Sequence, residues 1–536
     1  MPDSKPTSQR SPREGNLIVP PVGQRKASPV RKRAKARPPK PAGWLAYLAL
    51  IMLTICSYAP MFTSGLIWSE FDEVERSPYQ SMETWTEAWS PEIIRREDPI
   101  TLTSYFIEQT IPLDPAVTHH AINLLLHIIA AILLLKTLEA LKLPAAFSAS
   151  LVFALHPSVL QTIFWAGYRT ELIGLILLLA ALYLGIHNRN SRDFWILIII
   201  SSIGYLLHPA ILLLPLLLGL CIFHQRGSFD LKDYNRLLPL VCLALFIAVW
   251  TQGNSPKQDI LLNDRFGIYA QNLFFDLKQS LLPINLALFH PFAQEQEYNV
   301  GAQNSFLPFL LFIPFYVLIA IFYRKAWARG LLMGLTIYLL LSIYGLTKTG
   351  SFIDGSLAHE DHLHYIALPI IISIIICAAG GIARNMGASG KILWYMGFTI
   401  FAGVQLAITT AYAYSVSDRE QMWYNMSEQW PESWLPKLAL INTIQENGQE
   451  SELVTQSEII DLLESILEQQ PNLIKERTVL ARIYRDEGQN SNALRHYKRI
   501  LRDSKPDNDF LLEAAKFYDQ LGLTWDANNA RARTID

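Results

Sequence analysis

The stretches IGLILLLAALYLGI (residues 173–186) and LPFLLFIPFYVLIAIFY (residues 307–323) decide the fold. Each belongs to an apolar run that can cross a hydrocarbon layer of about 30 Å as a helix. A soluble core of this size does not need uninterrupted apolar runs. A membrane span does, because its backbone must satisfy its own hydrogen bonds in lipid and side chains on every face are apolar. The two stretches therefore predict an all-α fold, a polytopic bundle of membrane-spanning helices.

The composition of the whole chain agrees with this interpretation. Of 536 residues, 51% are hydrophobic and 17% are charged, and the mean hydropathy is +0.20. Ordinary soluble domains carry about 25% charged residues. The apolar runs between residues 44 and 415 predict about eleven spans, which we place near 44–67, 118–138, 145–165, 170–187, 194–207, 209–224, 237–252, 306–323, 330–347, 364–384 and 392–415.

The composition of residues 1–43 predicts a disordered basic tail. Residues 1–42 hold eleven Lys/Arg and two acids, with frequent Pro and Ser and no aromatic residue. This composition favours disorder, and we interpret the tail as an anchor that keeps the N-terminus in the cytoplasm, with a nucleic-acid-binding arm as the minor alternative. The net charge of −2 for the whole chain suggests no nucleic-acid partner. The four cysteines all lie in apolar runs, so neither a structural disulfide nor a thiolate metal site is expected.

The connections between the predicted spans alternate in charge, and this alternation predicts the topology. Every second connection is short and basic, which places it in the cytoplasm by the positive-inside rule. The first outward loop, 69–117, carries eleven acids against three arginines. With an odd number of spans, residues 416–536 also face outward. The predicted location is a bacterial inner membrane, with the C-terminal segment in the periplasm.

The C-terminal segment contains a repeat. Four residues recur 34 positions later: Ala481, Tyr484, Gly488 and Ala493 return as Ala515, Tyr518, Gly522 and Ala527. A 34-residue period with small residues and Tyr at these offsets is typical of tetratricopeptide (TPR) repeats, a helical α-solenoid. We therefore divide the chain into a membrane domain (44–415), a linker (416–455) and TPR-like repeats (456–536). Two interpretations of the repeats are equally open: they pack as a cap on the membrane domain, or they form a docking surface for a partner protein.

Four polar clusters on the predicted outward side are candidates for chemistry. Asp72 and Glu73 follow the first span; two neighbouring carboxylates at a membrane boundary suit general-base catalysis, although a solvated acidic loop has the same composition. His120 and Asn123 share a helix stripe with His127, where polar groups face either an interior site or another helix. The spacing of these histidines does not fit a zinc site.

The third and fourth clusters are also open to two interpretations. His156, Arg169 and Glu171 form the third cluster. In one interpretation Arg169 offers the hydrogen-bond donors that suit a phosphate; in the other Arg169 pairs with Glu171 and anchors the helix at the membrane interface. The fourth surrounds His364 in the stretch HEDHLHY (residues 359–365), which could bind a metal or a phosphate, or be a loop without function. No metal ligand is assigned.

In their order along the chain, these pieces resemble the transmembrane-and-tetratricopeptide-repeat O-mannosyltransferases and their bacterial relatives, within the GT-C glycosyltransferases. The family's Trp…Asp-Asp motif is matched by Trp68, Asp72 and Glu73, and its Arg-Pro-Leu by Asp98-Pro99-Ile100. Its His-x-x-Asn-x-x-x-His motif falls on 120–127. Its Phe-Ala-x-His-Pro, Gly-Arg-x-Asp-Leu-Leu and Glu-Arg-Tyr-Leu-Tyr-Leu-Pro motifs are matched at 153–157, 167–172 and, in degraded form, 364–369.

The resemblance implies a GT-C-like membrane enzyme, a diverged bacterial member of the family. It would transfer a sugar from a polyprenyl-phosphate-linked donor to a hydroxyl acceptor, a protein Ser or Thr, on the periplasmic face. Asp72 would be the general base, with Glu73 assisting. The donor phosphate and substrate would be bound by a further set: Arg169, His120, Asn123, His156, Glu171 and His364. The repeats would hold the acceptor protein. The donor is a substrate, and no cofactor is assigned.

The altered motifs leave a second hypothesis open. Glu stands at 73 and 171 where the family has Asp, Asp stands at 98 where it has Arg, and Gln stands at 161 where it has an acid. Such changes fit an enzyme with a different substrate. They also fit a non-catalytic membrane scaffold of GT-C origin that presents periplasmic TPR repeats for envelope assembly.

Overall fold

The computed structural model describes residues 41–65, 82–90, 98–187, 190–251, 262–283, 286–287, 290–291, 307–343, 352–353, 356–359, 364–448 and 451–534. Their structure is helical apart from three strands of two to four residues. The predicted helical fold is confirmed, and the small sheet is an addition that hydrophobic periodicity did not indicate. Asp72 and Glu73, and the basic tail up to residue 40, lie outside the described residues.

The described residues of the membrane domain form ten helices up to residue 251 and five more from residue 262 onward. The first ten are α1 (Trp44–Tyr58), α2 (Met82–Glu87), α3 (Pro99–Gln109), α4 (Pro115–Ala140), α5 (Ala146–Ala154), α6 (Leu160–Phe164), α7 (Arg169–His187), α8 (Ser191–Leu207), α9 (Leu214–Arg226) and α10 (Leu231–Thr251). The next five are α11 (Leu262–Leu281), α12 (Leu307–Ile321), α13 (Ala326–Ser342), α14 (Leu368–Asn385) and α15 (Gly387–Ser415).

Each apolar run that we predicted as a span contains helix, but fewer helices meet the length and hydropathy of a full span. Within the described residues seven helices do so, and the bent pair α5–α6 would be an eighth. Helix α8 has 17 residues, α12 has 15 and α13 has 17. The chain is thus a multi-pass membrane protein by length and composition, and the count of about eleven spans remains a prediction.

Two His-Pro pairs break helices in the same way. A residue before proline is disfavoured in the α region, so α5 ends before His156-Pro157 and α8 ends before His208-Pro209. Each histidine then caps the turn that follows: Nδ1 of His156 accepts from the Ser158 amide, and Nδ1 of His208 accepts from the Ala210 amide. The first break bends the α5–α6 pair by 53°.

The basic connections gather at one end of the bundle, as their alternation along the chain predicts. Gln225 at the end of α9 donates to the Ala140 carbonyl at the end of α4 (3.0 Å). Arg329 in α13 donates to the His224 carbonyl (3.2 Å). At Gly380 in α14, an added Cβ would lie 2.5 Å from the Ala145 Cβ, so only glycine permits this approach of the helix to the α4–α5 turn. We call this end the basic end; which side of the membrane it faces remains a prediction.

The C-terminal segment is an array of paired helices, α16 (Arg419–Gln429), α17 (Trp434–Glu446), α18 (Gln456–Gln469), α19 (Ile474–Asp486), α20 (Asn490–Asp503), α21 (Asn508–Gln520) and α22 (Thr524–Ala532). The predicted linker, 416–455, holds the first two of these helices. Helices α19–α20 and α21–α22 are the 34-residue repeats, and their turns coincide in geometry. Gly488 and Gly522 both have φ of +75°. Gln489 and Leu523 each donate an amide to the carbonyl of the repeat tyrosine, Tyr484 or Tyr518, at 2.8 Å.

The array starts at the end of the bundle opposite the basic end. Helix α15 begins beside the α4–α5 turn and runs 29 residues, about 43 Å at about 1.5 Å per residue. Near its C-terminus, Thr409 donates to the Leu155 carbonyl at 2.6 Å, beside His156. The array therefore follows the end of α15 that lies away from the basic end.

Candidate functional site

A buried polar cluster surrounds Arg169, the first residue of α7, at the end of the bundle opposite the basic end. Its side chain is fully buried. Nε donates to Asn123 Oδ1 in α4 (2.8 Å), and Nη1 donates to Ser104 Oγ in α3 (2.9 Å) and to the Glu108 carboxylate. Nη2 lies 2.9 Å from His119 Nδ1. One guanidinium thus joins α3, α4 and α7, using the fork of donors that only arginine offers.

Glu108 is the counter-charge of Arg169. Besides the arginine, its carboxylate contacts His119 Nδ1 at 3.1 Å, and the guanidinium also lies over the ring of Tyr105, 4.8 Å from its centroid. Burial by itself raises the pKa of Glu108. The hydrogen bond from His119 and the charge of Arg169 outweigh burial, so the pKa of Glu108 is lowered from its ordinary value. The carboxylate is therefore ionised at neutral pH and compensates the buried cation.

Asp98 fixes the start of α3 against the start of α7. It is the N-cap of α3, accepting from the Ile100 amide (3.0 Å) and from the Thr101 hydroxyl, and Pro99 takes the first helical position. Thr170 Oγ1 donates to the same carboxylate at 3.0 Å. Burial raises the pKa of Asp98, and these hydrogen bonds lower it in part. At the position where the family resemblance would have Arg, this chain has an acid with a structural role as a cap.

His120 links the cluster to the segment that carries the predicted catalytic acids. The imidazole is fully buried, stacks on Phe164 with 5.0 Å between ring centroids, and places Nε2 3.2 Å from Ser64 Oγ. Ser64 ends the short 3-10 helix, Ala59–Thr63, that follows α1. Asp72 and Glu73 follow along the chain and lie outside the described residues.

The remaining predicted residues form two separate groups. His156 Nε2 donates to the Ser280 carbonyl (3.3 Å), while His364 Nε2 lies 2.7 Å from the hydroxyl of the same serine and its Nδ1 lies 3.5 Å from Asp276. Glu171 instead accepts from His208 Nε2 at 2.9 Å. The structure therefore brings Arg169, Asn123 and His120 into one neighbourhood and His156 with His364 into another, and it pairs Glu171 with a histidine that the sequence analysis did not assign to the site.

His127, the last member of the predicted helix stripe, has a packing role. Its Nε2 donates to the Ala154 carbonyl (3.2 Å), so its Nδ1 accepts from the Tyr365 hydroxyl (2.8 Å). Both ring nitrogens are then satisfied inside the bundle.

The polar residues of these groups that the sequence analysis did not single out include Glu108, Asp276 and Ser280. Glu108 has a weak signal, because Ser104 and Glu108 are four residues apart on a helix that Asp98-Pro99 starts, which puts both on one face. Asp276 and Ser280 share the same spacing on α11. Within the described residues no group of three His, Cys, Asp or Glu side chains is arranged to hold a metal ion.

No family model matches the chain. A protein O-mannosyl-transferase of Caenorhabditis elegans, F38B6.6, is 22% identical to it over 223 residues, which cover 38% of this chain and 32% of the relative. The matched segment thus spans about a third of that relative. A cryo-EM structure of arabinofuranosyltransferase AftD from Mycobacteria aligns with 72% of this chain and 28% of its own, at 14% identity and a TM-score of 0.34, which is too low to establish a shared fold. Over part of its length, this membrane protein is similar to a glycosyltransferase.

Proposed function

We propose that this chain is a GT-C-type membrane glycosyltransferase that moves a sugar from a polyprenyl-phosphate-linked donor to a hydroxyl group, on the side of the membrane where the Arg169 cluster lies. The observation that carries the proposal is the cluster itself. Arg169, Glu108, His119 and Asn123 are buried together at one end of a largely apolar bundle. Polar and charged groups in such a place are costly, and they mark substrate sites in membrane proteins.

The predicted base is within reach of this cluster. Ser64 touches His120 in α4, and Asp72 follows eight residues later in the sequence. Eight residues span at most about 29 Å when fully extended. Asp72 and Glu73 can therefore lie beside Arg169 without any rearrangement of α1 or α4.

The proposed reaction is a displacement at the anomeric carbon of the donor sugar. The acceptor hydroxyl oxygen forms a bond to that carbon as the bond from the carbon to the phosphate oxygen breaks. Asp72 takes the hydroxyl proton, and Glu73 orients the acceptor. The leaving group is the lipid phosphate, and Arg169 stabilises the charge that develops on it. The name of the worm relative makes mannose the first sugar to test and a protein Ser or Thr the first acceptor.

Arg169 can bind the leaving phosphate only if it releases Glu108. In the structure the Glu108 carboxylate occupies the position on the guanidinium that an anionic phosphate oxygen would take, since both groups bind the same fork of donors. We propose that the donor phosphate displaces Glu108. The repeat array emerges at this end of the bundle and would hold the acceptor protein; the bacterial periplasm is the compartment that we propose for it.

The same geometry supports the rival hypothesis. All three guanidinium nitrogens already contact protein groups, so Arg169 is also suited to a purely structural role. In that case the chain is a non-catalytic scaffold that presents its helical array for envelope assembly.

A transfer assay with purified full-length protein separates the two. With radiolabelled polyprenyl-phosphate mannose and an acceptor peptide, Asp72→Asn should abolish transfer and retain donor binding, while Arg169→Gln should lose donor binding. Glu87→Gln, which changes an exposed acid on α2 in the same loop, is the matched control and should be fully active. Full activity of Asp72→Asn excludes the base assignment. Absence of both donor binding and turnover, across a panel of polyprenyl-phosphate sugars, supports the scaffold.

A further inference from the structure

A cavity of about 930 Å³ lies at the basic end of the bundle, between α4, α7, α9, α13 and α14. Helix α4 joins it to the Arg169 cluster and has 26 residues, a length of about 39 Å. The cavity begins at Leu134 and continues past Lys142, whereas His119 and Asn123 are near the other end of the same helix. It is therefore a separate site, and nothing in the proposed transfer reaction uses it.

The inner walls of the cavity are apolar. Leu134, Leu138 and Leu182 line one side, and Met333 and Ile374 line the other. Small residues of α13 and α14 contribute further lining without filling the space. A volume of this size is at the upper end of the range for ligand pockets, about 300–1,000 Å³. Hydrocarbon is the ligand chemistry that such walls favour, because apolar atoms placed there leave water.

The rim of the cavity is cationic. It carries Lys142, Arg226 and Arg329. Arg226 is neutralised by Asp233 at 2.7 Å. Arg329 instead donates to two backbone carbonyls, those of His224 (3.2 Å) and Arg324 (3.0 Å). Over the described ranges, neither Arg329 nor Lys142 forms an ion pair with a carboxylate.

Lys142 occupies a position that would suit glycine better. It follows α4 with φ of +60°, in the left-handed region, and the Leu143 amide closes the turn by donating to the Leu138 carbonyl (3.1 Å). Glycine is the usual residue at this position of a helix end. The chain keeps an exposed lysine there, and this lysine lines the cavity.

We propose that this cavity binds an acidic phospholipid, with its phosphate at Lys142 and Arg329 and an acyl chain between the apolar walls. Basic pockets between spanning helices are suited to anionic lipid headgroups. Free phosphate would leave the apolar volume unused, and a lipid without net charge would leave two cations uncompensated. An amphipathic anion satisfies both parts of the site.

Native mass spectrometry of the purified full-length protein tests the proposal, with dioleoyl phosphatidylglycerol, dioleoyl phosphatidylcholine and inorganic phosphate as separate probes. The wild type should retain phosphatidylglycerol in preference to phosphatidylcholine, and excess inorganic phosphate should not displace it. Removing one cation by Lys142→Gln or Arg329→Gln should weaken binding about fivefold, and both together about 25-fold.

Three further variants separate the site from general surface charge and from misfolding. Arg192→Gln removes an exposed cation that does not line the cavity and should bind as the wild type does. Arg329→Lys keeps the charge and should restore most of the binding lost in Arg329→Gln. Ala378→Phe places a ring in the cavity without changing charge and should also weaken binding. Circular dichroism confirms that each variant is folded.

Specific outcomes overturn the proposal. Equal retention of phosphatidylglycerol and phosphatidylcholine would show that charge does not select the ligand. Displacement of the lipid by inorganic phosphate would assign the rim to a free anion. Equal losses in Arg192→Gln and Lys142→Gln would assign binding to the general surface charge. These results would leave the proposed transfer reaction untouched, since that reaction depends on the opposite end of the bundle.

Discussion

Replacing Glu108 by glutamine should loosen helix α3 from the bundle. Glu108 supplies the carboxylate that faces Arg169, and both side chains are buried. Removing one partner of a buried ion pair typically costs about 3–5 kcal/mol, because the other charge is left uncompensated. Glutamine still accepts a hydrogen bond from the guanidinium, so the lower figure applies. About 3 kcal/mol corresponds to roughly a hundredfold change in an opening equilibrium.

Hydrogen–deuterium exchange of the peptide covering 99–109 measures this effect directly. In the purified full-length protein, exchange of α3 should be roughly a hundredfold faster in Glu108→Gln than in the wild type. The exposed Glu87→Gln variant on α2 should leave α3 unchanged. The pairing also predicts non-additivity: Glu108→Gln combined with Arg169→Leu should cost less than the sum of the two single changes.

Two results would refute the reasoning. If Glu108→Gln exchanges no faster than Glu87→Gln, then the ion pair does not hold α3. If the single and double variants are additive, then Glu108 and Arg169 stabilise the cluster independently, and Glu108 is not the counter-charge of the arginine.

The remaining predictions concern pH and the helical array. Because the pKa of Glu108 is lowered by folding, its stabilising effect is complete above the ordinary value of 4.5 and is lost as the pH falls through the lowered pKa. Exchange of α3, corrected for the intrinsic rate, should therefore rise more steeply below pH 4.5 in the wild type than in Glu108→Gln, in which Asp98 at the helix N-terminus still titrates; parallel profiles in the two proteins would contradict this. Gly488→Ala and Gly522→Ala should each destabilise the array by about 1 kcal/mol, since alanine resists positive φ. Gly397→Ala, inside α15 with open space around it, should instead stabilise its helix by about 0.5–1 kcal/mol. Thermal unfolding of the full-length variants measures both the expected destabilisation and the expected stabilisation. Clearly unequal losses of stability in Gly488→Ala and Gly522→Ala would argue against the equivalence of the two turns.

The positions of the membrane helices could be predicted from the sequence because the signal is local. Continuous apolar runs specify helices in lipid without reference to distant residues, and the His208-Pro209 break ends α8 through the geometry of one peptide bond. The number of complete spans could not be predicted in the same way. Helices α8, α12 and α13 are apolar but short, and composition does not say whether neighbours extend them across the bilayer.

The site was predictable only in part, because its contacts join distant parts of the chain. The sequence singles out Asn123 because polar groups in a span are costly, and Arg169 because its donors suit a phosphate. Glu108 was not singled out, since it is one of eleven acids in the loop 69–117 that is predicted to face outward, and only tertiary contact with Arg169 distinguishes it. His156 and His364 meet at Ser280, which is 124 residues from the former and 84 from the latter. No spacing rule covers such separations.

The two ends of the bundle differ in how their cations are balanced, and this difference constrains the mechanism. At the basic end, two cations face a cavity with no carboxylate partner in the described chain, so an anion can bind there without displacing anything. At the other end Arg169 is already paired with Glu108. If a second anion bound the guanidinium instead, the displaced Glu108 carboxylate would be left without a counter-charge. If Arg169 binds the donor phosphate, α3 and the donor therefore compete for one guanidinium. Glu108→Gln, which loosens α3, should then bind the donor more tightly than the wild type does. A scaffold in which Arg169 is only structural gains no donor affinity from the same change.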